Sequence, residues 1–233
     1  MSVHYILQLE TATQVCAAAI AADGQTIARR DIDEPNVHAS RLTVLVQALL
    51  QESGLTFADL HAVAVSKGPG SYTGLRIGVS VAKGFCYSTD LPLIAVSTLD
   101  AMAQGFAAAH PGAIAAEAWL CPMIDARRME VYTSAYNRRL EQVRPVEARI
   151  IDHASFDDLD GTPVTLFGSG ADKFSGLFAE HPTVTVVPGF RNSASHFSAL
   201  AYNAYLAGDF VDVAYFEPYY LKDFVATTPK QRS

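Results

Sequence analysis

The residues with chemical potential gather around one glycine-rich stretch, "KGPGSYTGLRIGVSVAKGF", Lys67 to Phe85. Gly68, Gly70 and Gly74 follow an apolar run and precede a helix-like segment. That is the setting in which backbone N–H groups cradle phosphate, because no Cβ stands in the way. The spacing fails both common phosphate templates. Gly68 to Gly74 is one residue too long for G-x-G-x-x-G, and no Lys-Ser/Thr pair follows as a P-loop requires. Pro69-Gly70 instead sets a tight turn, and Ser71 or Thr73 is placed to cap the following helix. No serine or cysteine nucleophile is signalled, since the chain lacks G-x-S-x-G and has no motif-linked His and Asp. Metal binding needs three or four convergent ligands, and neither HExxH nor CxxC occurs. His38 stands four residues before Leu42, which cannot ligate, and His4, His61, His110, His153, His181 and His196 show no ligand spacing.

The elements that position these residues read as two similar halves. Residues 3–9 alternate as a strand, and "VCAAAIAADGQTIARRDI" reads as two strands around Asp23-Gly24. In "HASRLTVLVQALLQESG" Leu42, Leu45, Val46, Leu49 and Leu50 recur at helical spacing, and Gly54 closes the helix. "HAVAVS" is a buried strand, "YTGLRIGVSVAKGFCYS" a helix and "LPLIAVST" another buried strand. "AMAQGFAAAHPGAIAAEA" reads as an Ala-rich connector. After it come two strands around "DARRM", a third in "RPVEARII", a helix near "HASFDDLDG", and "TPVTLFGSGA" as a strand running into a Gly turn and a helix. "TVTVVP" is a further strand and "SASHFSALAYNAYLAGD" a helix ending at Gly208. The repeated order predicts two domains, 1–104 and 105–233, with a polar tail "VATTPKQRS".

Composition bounds the function. The chain has 233 residues, half of them hydrophobic and 18% charged, which places it with ordered globular proteins. Its net charge of −7 makes it a poor RNA binder unaided, because Lys and Arg contacts to phosphate supply most of that affinity. It leaves room for a contribution inside a more basic complex. Cys16, Cys86 and Cys121 are far apart and lie in apolar surroundings, so they read as buried thiols in a reducing compartment. The first residues lack a basic signal-peptide region, and no apolar run approaches the ~18 residues of a membrane helix, so a cytoplasmic protein without a membrane partner is expected.

Two consecutive βββαβα units are the plan of the actin-like ATPase (ribonuclease-H-like) superfold, also seen in sugar kinases and heat-shock ATPases. The α/β class expected here is two such domains, mixed sheets flanked by helices. "ETAT" (10–13), "KGPGSYTGLRIGVSVAKGF" (67–85), "AVSTLDAMA" (95–103), "DARRMEVY" (125–132), "GSGA" (168–171) and "PYYLKD" (218–223) narrow the match. Together they resemble the TsaB (YeaZ) family, a bacterial branch of the glycoprotease-like proteins that serve tRNA threonylcarbamoyladenosine (t6A) formation. The resemblance is colinear over nearly the whole chain. Glu10 stands where that family usually has Asp, and Met129 where Gly is common.

The resemblance implies a noncatalytic scaffold. TsaB-like proteins pair with the catalytic paralogue TsaD and with the small ATPase TsaE. TsaD transfers a threonylcarbamoyl group, delivered as an AMP adduct, to adenosine 37 of tRNAs reading ANN codons. The expected partners are therefore a TsaD-like paralogue, a TsaE-like ATPase and a second copy of the chain, with tRNA reached only indirectly. Ligand-hydrolysing members of the superfold use two Gly-rich hairpin turns as phosphate cradles. The first turn here keeps Glu10 and Thr11 but no glycine, and the second carries Arg127, Arg128 and Met129. Only Gly168 to Ala171 resembles the nucleoside-side turn. Glu10, Thr11, Gly168 and Gly170 are thus candidate remnants of a cofactor site. No intrinsic cofactor or metal is expected, and a nucleotide only in complex with the partner.

Within the helix after the Gly turn, Gly74, Gly78 and Ala82 recur every four residues and line one face with almost no side chain. An interior glycine costs about 0.5–1 kcal/mol relative to alanine, so the pair needs a compensating contact. Two readings stay open: the ridge packs inside this chain, or it receives a partner's backbone closely. In the TsaB family the amino-terminal helices pair into bundles with TsaD and in homodimers. Helices 38–53 and 73–88 are accordingly the expected docking elements. Arg41, Leu45, Leu49, Gly74, Leu75, Arg76, Gly78, Val79, Ala82 and Lys83 are the interface candidates. The competing functions are a free-standing actin-like ATPase and the peptidase suggested by the older family name.

Overall fold

A computed structural model describes residues 3–111 and 117–222. The tail 225–233, residues 112–116 of the Ala-rich connector and Asp223 of the "PYYLKD" motif lie outside the described residues. The first half opens with strands β1 (Tyr5–Glu10), β2 (Val15–Ala22) and β3 (Gln25–Asp33). Asp23 and Gly24 turn between β2 and β3 with φ of 48° and 80°, the primed geometry that matches the twist of a hairpin. Helix α1 (His38–Ser53) leads to β4 (Leu60–Gly68), and α2 (Tyr72–Thr89) to β5 (Leu93–Ser97). The sheet order is β3-β2-β1-β4-β5, with β1 antiparallel to β2 and parallel to β4. Parallel neighbours require crossovers, and α1 and α2 supply them. Leu42, Leu45, Val46, Leu49 and Leu50 of α1 all face Leu7, Leu9, Ala18 and Ile20 of the sheet. Gly54 ends α1 in the left-handed conformation at φ 64°.

The second half repeats this plan with β6 (Trp119–Asp125), β7 (Glu130–Tyr136), β8 (Gln142–Ile150), β9 (Val164–Phe167) and β10 (Val184–Val187). Its order, β10-β9-β6-β7-β8, is the first sheet's order again, with β6 in the place of β1. The two actin-like units expected from the repeat are present as topology. The crossovers of this half are shorter than expected. The segment 153–161 and the one after Gly168 form only single tight turns, Asp157–Leu159 and Asp172–Phe174, instead of helices. Asp160 at φ 44° stops the first, and Gly176 and Pro182 interrupt the second.

Two further differences concern the join between halves. The Ala-rich connector begins as a helix, α3 (Thr98–Ala109), capped by the Ser97 hydroxyl. Its Leu99, Met102, Ala103 and Phe106 pack on Leu120, Ile124 and Phe167 of the second sheet, while Ala101 packs with the first. The last helix, α4 (Ser198–Ala207), does not stay with 105–233. Phe197 and Ala201 cover the open face of the first sheet against Ile6, Ala17, Ala62 and Ile94. On that same face Ser198 Oγ donates to the buried Gln8 Oε1 at 2.9 Å. Both faces of β1 carry apolar residues, so a second layer has to cover Ile6. From there the chain returns along β5, α2 and the glycine-rich turn. Val211 N donates to Leu93 O at 2.9 Å and Tyr219 N to Lys67 O at 2.7 Å. No helix among the described residues is long and apolar enough to cross a membrane.

Candidate functional site

Glu10 ends the central strand of the first sheet and is 1% exposed. Its Oε1 accepts from the Ala12 N–H at 2.5 Å and from Ser66 Oγ at 3.1 Å. Asn192 adds a side-chain hydrogen bond from the returning chain. Burial pushes the carboxyl up to about 7, and these hydrogen bonds hold it from rising further. Ser66 and Asn192 carried no motif, so the sequence offered no signal for either.

The turn that follows Glu10 is covered by another part of the chain. The Gly68-to-Gly74 loop lies on the turn after β1, where Ser71 N donates to Ala12 O at 2.7 Å. A Cβ on Gly70 would come within 2.7 Å of the Ala12 Cβ, and one on Gly74 would strike the Thr11 carbonyl oxygen. At Gly78 it would strike Thr11 Oγ1. The three glycines admit the turn 11–12 against the glycine-rich loop and the first turns of α2.

This resolves the facing of the small-residue ridge and corrects most of the interface candidates. Gly74, Leu75, Gly78, Val79 and Ala82 are buried in the chain, as are Leu45 and Leu49. They cannot line a surface, because the β1–β2 turn and the sheet already occupy that side. Arg41 and Arg76 are exposed, and Arg76 lies over the Tyr72 ring at 5.3 Å. Lys83 is half-buried and donates to Ala214 O at 3.1 Å. The outward faces also carry Val44, 50% exposed, and Tyr87, 85% exposed.

In the second half the matching glycine loop packs on the end of the central strand β6. Gly68 ends, and Gly168 directly follows, the strand parallel to the central one in its half, with φ of 110° and 103°. Gly170 N donates to Met123 O at 2.9 Å, as Ser71 N does to Ala12 O. A Cβ on Gly170 would meet Ile124 C at 2.8 Å, and one on Gly168 the Met123 carbonyl at 2.5 Å. Both glycines are buried, as are Glu10 and Thr11. A Gly-x-Gly after the fourth strand of each half was the available sign of this symmetry.

The β6–β7 turn is the exposed part of the region. Arg127 and Arg128 adopt φ of 76° and 49°, which costs roughly 1–2 kcal/mol for each residue that is not glycine. Asp125 Oδ1 accepts from Arg127 N at 2.9 Å and from Lys173 Nζ at 2.7 Å. Lys173 also donates to Glu130 O at 2.7 Å, and Lys222 Nζ pairs with the Glu130 carboxylate at 2.5 Å.

Other chemistries find no purchase among the described residues. His38 is buried, with Nε2 3.2 Å from Val15 O. No group of three His, Cys, Asp or Glu side chains could hold a metal ion. Cys16, Cys86 and Cys121 are buried free thiols. Burial pushes the first two up to about 11 and the third to about 12, far from a reactive thiolate.

Comparison with known proteins agrees with this geometry. The family model "TsaD: tRNA N6-adenosine threonylcarbamoyltransferase" matches residues 35–216. The chain is 35% identical over 232 residues to the tRNA threonylcarbamoyladenosine biosynthesis protein TsaB of Escherichia coli, covering 95% of this chain and 96% of that one. A TsaB of Bacillus subtilis is 36% identical over 60% of this chain and 59% of its own. The solved structure of YeaZ from Pseudomonas aeruginosa superposes with a TM-score of 0.77 at 28% identity, covering 95% of this chain and all of the other. With a matching family model over most of its length and a curated relative aligned end to end, this chain belongs to the TsaB (YeaZ) branch of the TsaD family.

Proposed function

We propose that this chain acts in tRNA t6A biosynthesis as a noncatalytic, cytoplasmic subunit that pairs with and activates a TsaD-like catalytic paralogue. The observation that carries the reading is the closed cradle: Gly70, Gly74 and Gly78 seat the turn 11–12 where a phosphate-binding turn would be open. Catalysis then falls to the partner, a reading supported by relatives named for t6A biosynthesis and by a family model named for threonylcarbamoyl transfer. Docking uses the outward faces of α1 and α2, with Arg41, Val44, Arg76 and Tyr87 as contacts. The same faces serve a homodimer of the free chain. A TsaE-like ATPase joins the assembled pair, and any nucleotide is held only there. A free-standing ATPase would need an open first turn, and a metallopeptidase a ligand cluster.

The test is t6A formation on an unmodified tRNA transcript by the paralogue, with and without this chain, alongside gel filtration of the mixture at micromolar concentration. Comigration and a dependence of t6A yield on this chain are expected. Separate elution with nucleotide present, or full activity of the paralogue alone, would refute the reading. Titration of the isolated chain with Mg-ATP should give no heat.

A further inference from the structure

At the tip of the β6–β7 hairpin two cations stand without partners among the described residues, because the nearby carboxylates are already taken. Asp125 is held by Lys173 and by the Arg127 backbone N–H, and the Glu130 carboxylate by Lys222. Among the described residues neither the Arg127 nor the Arg128 guanidinium has a partner. Four cations thus meet two carboxylates, in a chain whose net charge is −7. Both arginines are exposed and both hold left-handed backbone that Asn or Gly would adopt more readily. The arginines stand against the preference of the turn.

Guanidinium forks match phosphate oxygens in geometry and charge. Arg127, Arg128 and Met129 are consecutive exposed residues, so the tip touches a ligand from one side and does not enclose it. That favours an extended polyanion presented by a larger surface over a bound mononucleotide. We propose that the Arg127–Arg128 turn is a phosphate-backbone contact for RNA, engaged when the chain is held in an assembly that supplies the rest of the binding surface. The proposal rests on the reading of the chain as a subunit of a tRNA-modifying complex. Two contacts from an acidic chain are too few to hold RNA firmly alone, which is why the assembly is needed.

The test titrates a labelled unmodified tRNA transcript with the chain–paralogue complex, and with the chain alone at low salt. It compares wild type with R127Q/R128Q and R127K/R128K. The glutamine pair is expected to weaken binding about tenfold and to lower the log–log salt slope by roughly 1 to 2, while the lysine pair, which keeps the charge but not the fork, keeps the wild-type slope and loses less affinity than the glutamine pair. Unchanged affinity and slope in both formats would overturn the proposal, as would weaker binding with an unchanged slope. Failure of the subunit reading shows separately, as a wild-type chain that does not comigrate with the paralogue. The chain-alone titration then still reads the arginines. Calorimetry with Mg-ATP separates the other source of phosphate: heat that disappears in R127Q/R128Q would assign the turn to a nucleotide and overturn the RNA contact.

Discussion

Gly78 and Thr11 face each other where α2 crosses the turn after β1, so closely that a Cβ on the glycine would collide with the threonine Oγ1. That hydroxyl is buried and has no hydrogen-bond partner among the described residues. The contact is a shape contact: a helix thinned at Gly74 and Gly78 so that the end of the central strand can turn beneath it.

The collision predicts an inversion of the usual helix preference. Alanine normally stabilises an interior helix position over glycine by about 0.5–1 kcal/mol. Gly84→Ala, in the same helix with nothing within 4 Å, should follow that rule. Gly74→Ala should instead destabilise by about 1–3 kcal/mol, since its Cβ meets a carbonyl oxygen that cannot move aside. Gly78→Ala should cost a similar amount and recover most of it in combination with Thr11→Ala, which removes the struck hydroxyl. Urea denaturation of the four variants and the double variant checks this. A neutral Gly74→Ala would disprove the packing account.

Buried and outward positions of α1 and α2 should separate cleanly. Arg76→Glu, Val44→Asp and Tyr87→Glu lie on exposed faces and should leave the melting temperature within a few degrees of wild type. Under the docking proposal they should weaken comigration with the paralogue at least tenfold. Leu49→Glu, wholly buried, should unfold the chain and lose binding by that route. Surface variants that bind as well as wild type would remove α1 and α2 from the interface.

The sequence carried the features that local chemistry decides. Asp23-Gly24 named its hairpin, the leucine stripe named α1, and Gly54 and Gly208 named two helix ends. It could not say which side of the Gly74-Gly78-Ala82 ridge faced inward, because spacing defines a face and not its neighbour. Helix α3 escaped because Leu99, Ala101, Met102, Ala103, Gly105 and Phe106 are all buried between two sheets. A helix apolar all round shows no period. The return of α4 to the first sheet joins Ser198 to Gln8 across 190 residues, beyond any local pattern. Of the candidate site, Glu10 and Thr11 were legible as strand-end residues, while their closure by Gly70 was a tertiary fact.

Two buried titrating groups should oppose each other in the pH dependence of stability. Glu10 is raised from 4.5 to about 7, chiefly by burial. Its neutral form is favoured in the folded state, so its contribution is complete below the unfolded pKa and is lost as pH rises towards 7. His196 is lowered from 6.5 to about 4, first by burial and then by Arg29, with its ring stacked on Phe190. The unfolded chain protonates this histidine first, so its contribution is present above 6.5 and is lost as pH falls towards 4. Each shift corresponds to about 3 kcal/mol, with opposite slopes over nearly the same window. Wild type should therefore show a shallow profile between pH 4.5 and 6.5. Glu10→Gln should unmask a rise in stability with pH, and His196→Asn a fall. Denaturation midpoints of the three proteins at half-unit steps from pH 4.5 to 7.5 read this directly. Parallel profiles for wild type and Glu10→Gln would show that Glu10 is ionised in the folded state throughout, and that the Ala12 and Ser66 hydrogen bonds outweigh its burial.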